Sequence, residues 1–381
     1  MIETPASPAP ALRRAAAAGA LLALSLLLAA LLAEGVLRVL AAAGNPLARR
    51  VAAVDPDAVK VEPHGRFGYR QRPGAVLVYA NGTRASANRQ AFRGPEVAVP
   101  KPRGAYRIVL LGESSTHGWD VNDDQTLDGY LRARLEAERP DLDVEVVNLA
   151  YDGYDAYQMW QRLVDDGVPL QPDLVLANAG VNDVRNARLP DLGGDPDPRT
   201  LIWEGEMRRQ RRALALGRPA TWDRVKHFSL LARLPGVLED DVAARRQTRR
   251  DAAAGGSLAA AAANFARNME RIAGVARGLG VPLLLSTPPS ALLLPDAPSG
   301  MIRRSYWIGD APTTQRYRDT LAARLRGLAG RLAAAGQPVT YLAPALPGRM
   351  FLDDVHPTAE GYRALADAFA SAVVPYLPRR R

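Results

Sequence analysis

Five short apolar runs punctuate the later two-thirds of the chain, and between them apolar residues recur at three-to-four spacing. The runs are Ile108 to Leu111, Val144 to Leu149, Leu174 to Ala177, Pro282 to Ser286 and Val339 to Leu342. Continuous apolar runs of this length fit strands buried on both faces of a parallel sheet. The intervening stripes place one apolar face on each helix: Leu127, Leu131 and Leu135; Met159, Trp160, Leu163 and Val164; Leu258, Ala262, Phe265, Met269 and Ile272; and Leu321, Leu325, Leu328 and Leu332. A last stripe carries Tyr362, Leu365, Phe369 and Val373. Strands that alternate with helices imply βαβ units, hence an α/β fold: a three-layer α/β/α sandwich around a five-stranded parallel sheet, over residues 105–378.

A different pattern opens the chain. Ala15 to Ala33 are 19 residues without a charge, preceded by Arg13-Arg14. At 1.5 Å per residue they nearly match the ~30 Å of a bilayer's hydrocarbon. The reading is a transmembrane anchor over 15–40 behind a cytoplasmic tail, 1–14. A cleaved signal peptide with a processing site near Leu40 to Ala43 and a buried soluble helix are the alternatives. Arg13-Arg14 place the tail inside and the remainder outside the cytoplasm, although Arg38, Arg49 and Arg50 weaken that bias. Residues 41–60, with Pro46 and Pro56, read as a linker.

Residues 61–104 read as a β-rich prelude. Val76 to Ala80 and Thr83 to Ala87 flank Asn81-Gly82, a strong hairpin signal. His64, Phe67, Tyr69 and Phe92 are expected to pack the prelude onto the main domain. One stretch breaks the later rhythm: residues 185–256 are too long for a crossover loop. From Arg199 to Arg250 there are thirteen Lys/Arg against six Asp/Glu. Leu201, Trp203, Phe228, Leu230, Leu231 and Leu234 among them predict helices that cap the carboxyl edge of the sheet, either as a solvated face or as a lid toward an acidic polymer or anionic lipid.

Composition changes this picture little. Lys and Arg number 49 against 40 Asp and Glu, a net charge of +9. A nucleic-acid surface would rest only on that excess and the Arg-rich insertion, and it would leave the strand-end residues unexplained. The chain has no cysteine, which excludes disulfides, thiolate catalysis and cysteine metal sites.

Those strand-end residues carry the candidate chemistry, because open α/β sheets bind ligands outside their carboxyl ends. The first run stops at Gly112 and gives way to Glu113-Ser114-Ser115-Thr116. Ser114 there is either a nucleophile or a helix cap. A nucleophilic serine needs a base. Of the four histidines, His356 follows the last strand and has Asp353 three residues before it, a spacing that orients an imidazole; Asp354 is the weaker orienter. An acyl-transfer site also needs oxyanion donors, and Gly153 and Asn182 lie in turns after the second and third strands.

Taken together, these segments resemble the SGNH hydrolase superfamily, the GDSL esterases and lipases. That family is named for Ser, Gly, Asn and His in successive blocks, and here Ser114, Gly153, Asn182 and His356 occur in that order. The first block reads Gly112-Glu113-Ser114, with glutamate where the family has aspartate. The third, Gly180-Val181-Asn182-Asp183, and the last, Asp353-Asp354-Val355-His356, match in full. The resemblance implies a flavodoxin-like fold, attack by Ser114, His356 as general base and acid, and Asp353 as its orienter. It also implies an oxyanion hole from the Ser114 and Gly153 N–H groups and the Asn182 side chain, with no metal and no cofactor.

The prelude ending in Asn88 to Gly94 looks like that of membrane-anchored bacterial members. The expected activity is hydrolysis of O-acyl, chiefly acetyl, esters on an extracytoplasmic glycan. Lipid-ester hydrolysis, O-acyl transfer and non-catalytic glycan binding are the alternatives. His117, Trp119, Tyr154 and Trp307 are candidate substrate contacts or packing residues, and oligomeric state is left open.

Overall fold

The computed structural model describes residues 9–53, 61–79, 81–186, 225, 228–235, 237–238, 258–297 and 310–379. The chain divides into two compact units, Met1–Asp57 with Leu216–Val242, and Ala58–Ala215 with Ala243–Arg381.

In the first unit, α1 (Ala9–Ala42) contains a 27-residue apolar stretch, Ala16–Ala42, none of it buried. A short helix, α2 (Pro46–Ala53), occupies part of the span read as a linker. Its start is encoded locally, since Asn45 Oδ1 accepts from Ala48 N at 3.1 Å and Pro46 begins the helix, where a missing N–H costs nothing. Val51 of α2 packs with Leu230 and Val237 of the insertion, flanked by Leu37 and Leu234. The insertion's described residues between 225 and 238 thus belong to the same unit as α1.

The second unit is built on a parallel sheet of β5 (Ala105–Gly112), β6 (Asp143–Asn148), β7 (Leu174–Asn178), β8 (Leu283–Ser286) and β9 (Val339–Leu342), in the order β6-β5-β7-β8-β9. Every pairing is parallel, and the register aligns Gly112 with Asn178, Asn178 with Ser286, and Ser286 with Leu342. β5, β7, β8 and β9 therefore end level, β6 stops at Asn148 opposite Leu110, and the loops after all five share one edge.

Successive residues of each strand face opposite layers. Val109, Leu111, Val175, Ala177, Leu283 and Leu285 pack under α5 (Ala156–Arg162), α7 (Leu258–Leu279) and α8 (Ala311–Ala334) through Met159, Phe265, Ile272 and Leu321. Ile108, Leu110, Leu176 and Leu284 pack under α4 (Leu127–Glu138) and α9 (Ala359–Val373) through Leu131, Leu135, Tyr362 and Phe369. Both layers being apolar explains why the strands read as unbroken runs. Removing one such side chain, Leu110→Ala for example, costs about 2–5 kcal/mol.

The prelude contains two hairpins. The expected one is β3 (Val76–Val78) with β4 (Arg84–Ser86). The other, β1 (Val61–His64) with β2 (Gly68–Gln71), the sequence reading did not find. Pro63 and the polar Glu62 and His64 deny it the alternation of a half-buried strand. Its Val61, Phe67 and Tyr69 are buried against Tyr151 and Tyr154, beyond the end of β6. Tyr69 Oη donates to the carbonyl of Asp152 and Tyr154 Oη to that of Tyr69, both at 2.8 Å.

Candidate active site

At the level edge of the sheet, β5 gives way at Gly112 to a single helical turn, α3 (Ser114–His117). Gly112 has no alternative, because a Cβ there would collide with the side chain of Thr116. Thr116 is held by Asn178 at the end of β7, whose Nδ2 donates to its Oγ1 at 3.0 Å. Ser114 is the first residue of this turn and does not cap it; the cap position is Glu113, whose side chain makes no capping bond.

Ser114, His356 and Asp353 come together although 242 residues separate the first two. His356 Nε2 lies 2.8 Å from Ser114 Oγ, and His356 Nδ1 lies 2.7 Å from Asp353 Oδ2. With Nδ1–H donating to a carboxylate, Nε2 is left to accept from the serine hydroxyl. The other oxygen of Asp353 accepts from the backbone N–H groups of Val355 and His356 at 2.9 and 2.8 Å. Burial raises the Asp353 carboxyl, but the charge and ring N–H of His356 and those two backbone donors outweigh it, so it titrates below its ordinary value.

Asp354 has no bond to the imidazole, and neither of its buried oxygens has a hydrogen-bond partner among the described residues. Burial and the charge of Asp353 push it up to about 6.

Asn182, at the start of α6 (Asn182–Asn186), and Gly153 lie at the same edge. Gly153 has φ +84°, which a residue with a Cβ rarely adopts, in the turn closed by Tyr154 N donating to Tyr151 O at 3.2 Å. Asn182 Nδ2 donates to the carbonyl of Tyr154 at 2.9 Å, which fixes the amide's orientation and leaves its second N–H.

Glu113 explains how the third block is held. One oxygen of its carboxylate accepts from Gly180 N and Val181 N at 2.7 and 2.9 Å, and the other from Asn182 N at 2.7 Å. The glutamate at this position thus ties the residue before Ser114 to the Asn182 turn. Burial raises it and the three N–H donors and Arg318 oppose this; the outcome is a pKa pushed up to about 7. Sequence reasoning gave Glu113 no role, because its partners are backbone groups some 67 to 69 residues away.

Arg93 was missed altogether. Fully buried at the end of the prelude, it donates to the carbonyls of His117, Gly118, Val121 and Arg84 and pairs with Asp123. It therefore gathers the chain that leaves α3. No local pattern distinguishes it from the many surface arginines.

The remaining candidates separate. Trp119 is half-buried and stacks on His356. His117 is fully buried, with Nδ1 3.0 Å from Asp152 Oδ1 and Nε2 3.4 Å from Gln71 Oε1, so it does not line an open pocket. Tyr154 is likewise buried, its ring edge-on to Phe67, Tyr69 and Tyr151, which leaves no face for a sugar. Trp307 and His227 lie outside the described residues.

A cavity of about 330 Å³ adjoins Gly180, lined by Pro288, Leu293, Leu321 and Leu346 together with Arg318. Among the described residues, no group of three or more His, Asp and Glu side chains is arranged to hold a metal ion.

Comparison with known proteins places this architecture. No curated protein sequence matches the chain. Among solved structures it is similar to a GDSL-like lipase from Bacteroides thetaiotaomicron, at 18% identity and TM-score 0.39 over 74% of this chain and 93% of that one. It is similar also to a lipase/acylhydrolase from Enterococcus faecalis (18%, TM-score 0.40, 72% of this chain and 99% of that one). A third is an acetyl-xylooligosaccharide esterase from Geobacillus Stearmophilus, a mutant (14%, TM-score 0.39, 73% and 99%). Likeness at this level says nothing about what this chain acts on. The GDSL-like lipase/acylhydrolase family itself matches residues 110–364, most of the chain and all four strand-end blocks. The chain belongs to that family and is an ester-hydrolysing enzyme.

Proposed function

We propose that the enzyme cleaves O-acyl esters through an acyl-serine intermediate, with Ser114 as nucleophile, His356 as general base and then acid, and Asp353 as the group that orients it. The observation that carries this reading is the unbroken hydrogen-bonded series Ser114 Oγ, His356 and Asp353, at 2.8 and 2.7 Å. As Ser114 Oγ bonds to the ester carbonyl carbon, its proton passes to His356 Nε2. The imidazolium that forms faces Asp353 and returns the proton to the departing alkoxide. Water then repeats the sequence on the acyl-enzyme, releasing the acid. The oxyanion is held by the N–H groups of Ser114 and Gly153 and the second N–H of Asn182, a set whose members are each worth about 10²–10³ in rate.

The substrate we favour is a small acyl group, chiefly acetyl, on an extracytoplasmic glycan, reached from a membrane anchor formed by α1. The charge-free length of Ala15 to Ala33 and the inner Arg13-Arg14 support the anchor and its direction. A longer acyl chain is the second reading. The cavity of about 330 Å³ beside Gly180 favours it, being roomier than an acetyl group requires.

Full-length protein in detergent, assayed on p-nitrophenyl acetate, butyrate and octanoate and on acetylated xylan beside Ser114→Ala, separates these readings. Turnover by wild type and none by the variant supports the serine mechanism, and the preferred chain length chooses between substrates. Equal rates for the two proteins would remove Ser114 as nucleophile.

A further inference from the structure

The insertion meets the C-terminal end of α1, beyond the length that a bilayer's hydrocarbon covers. Nineteen charge-free residues span about 28 Å of helix, so Glu34 and the turns after it emerge at headgroup level. There the Glu34 carboxylate is fully engaged. One oxygen accepts from Leu230 N at 3.1 Å and Arg38 Nε at 2.8 Å, the other from Ser229 Oγ and Leu231 N, both at 2.9 Å. Leu230 and Leu231 open the helical backbone of residues 230–235, whose first N–H groups have no partner within the helix. A side chain about 196 residues away in sequence thus supplies their cap. Arg38 Nη2 also donates to the carbonyl of Phe228 at 2.8 Å, and Arg233 Nη1 to that of Ala52 at 3.0 Å.

Outside this clamp the surface is apolar and basic together. Phe228 is 82% exposed, Val39 68% and Val36 57%, with Leu238 and Val225 also exposed. Val36 and Val39 lie three residues apart on one face of α1, the face continuous with its apolar span. Among the described residues of this unit Glu34 is the one acid, and it is engaged by its partners, while Arg38 keeps 58% of its side chain exposed and Arg49 is exposed. Exposed apolar side chains beside the exposed Arg38, at the depth where a helix leaves hydrocarbon, match a surface of anionic headgroups.

We propose that residues 228–235, 237 and 238 form a membrane-surface element, docked through Glu34 on the exit end of a retained anchor and seated in the headgroup layer of an anionic bilayer. The proposal rests on the membrane reading of α1. It makes that helix part of the mature protein, because processing near Leu40 to Ala43 would remove Glu34, Leu37 and Arg38 together, taking the cap and part of the core that holds Leu230.

The absence of cysteine allows a direct test. Phe228→Cys, labelled with an environment-sensitive fluorophore on the full-length protein, is mixed with phosphatidylcholine vesicles with or without phosphatidylglycerol. Arg132→Cys on α4 is the control. The expected result is flotation of intact protein, with a blue shift and quenching by brominated lipid at position 228 only, larger with phosphatidylglycerol. In Glu34→Ala the blue shift at 228 is lost while flotation and ester hydrolysis persist. Flotation with the 228 label still in water overturns the docking and leaves the anchor standing. An unchanged blue shift in Glu34→Ala overturns the clamp. Failure to float, or a mature chain beginning beyond Ala43, overturns the membrane reading and the proposal with it.

Discussion

Trp119 lies nearly parallel to the imidazole of His356, their ring centroids 5.4 Å apart and their planes 28° from alignment. Its indole also meets Tyr79 of the prelude at 5.0 Å, so the ring cannot swing away from the histidine without moving a neighbour. Asp353 fixes one edge of the imidazole and Trp119 one face. Trp119→Ala is expected to lower kcat on p-nitrophenyl acetate by about 10- to 100-fold, the scale of a small misplacement of a catalytic group. Trp119→Phe keeps most of the rate, and steady-state kinetics on both variants checks this.

Asp353→Asn tests the orientation of the imidazole. Two backbone N–H groups grip one carboxylate oxygen, so an asparagine keeps its oxygen there and turns its NH₂ toward His356 Nδ1. That forces the proton onto Nε2, where it faces Ser114. We expect kcat to fall by about 10⁴, with KM little changed and the fold intact by circular dichroism. In wild type, the lowered carboxyl contributes stability that is present above its ordinary 3.8 and lost as pH falls through its folded value. Acid denaturation of the variant should show a shallower slope below pH 4.

Glu113 acts in the opposite direction with pH. Its folded pKa is raised from 4.5 to about 7, so its proton is held more tightly in the native state than in the unfolded chain. The associated stability is fully present below pH 4.5 and lost as pH rises through about 7. The difference in pH dependence between wild type and Glu113→Gln, from urea titrations at pH 5 and pH 8, isolates it from Asp354, which is raised as well. Glu113→Gln removes this dependence but sets an NH₂ against a backbone donor of the Asn182 turn. It should cost about 1–3 kcal/mol at pH 5 and lower kcat.

Arg93→Lys keeps the charge and loses the fork. A single ammonium cannot reach the carbonyls of Arg84, His117, Gly118 and Val121 at once, and each buried carbonyl left alone costs about 1–3 kcal/mol. A markedly lower melting temperature is expected, with kcat reduced more than KM is raised, because the displaced carbonyls continue the turn that carries Ser114. Calorimetry and kinetics on one preparation check both.

The sheet was legible because each strand is buried on both faces, which writes an unbroken apolar run into the sequence, and each helix on one, which writes a stripe. The chemistry was legible where function forces a residue type at a strand end, as with Ser114 and His356. What stayed hidden depends on distant partners. Tyr154 and His117 sit next to site residues in sequence, yet their surroundings come from Tyr69 and Gln71 of a hairpin whose Pro63 disguised it. Leu230 and Leu234 look like any amphipathic stripe, and only Glu34 on another helix decides where they pack. Arg93 and Glu113 bind backbone carbonyls and amides, and backbone partners leave no signature in side-chain pattern.

The separation of 242 residues between Ser114 and His356 has a consequence for assembly. A chain emerging from the ribosome presents its serine early and its base almost last, after β9 has joined the edge of the sheet and the turn before α9 has closed. Until then Ser114 is an ordinary alcohol. Closing so long a loop adds to the entropy of the final folding step, and the bond it makes is the one that activates the nucleophile. Ester cleavage is therefore a signal of completed folding: in a refolding experiment, helix content should return first and turnover only when the last segment docks.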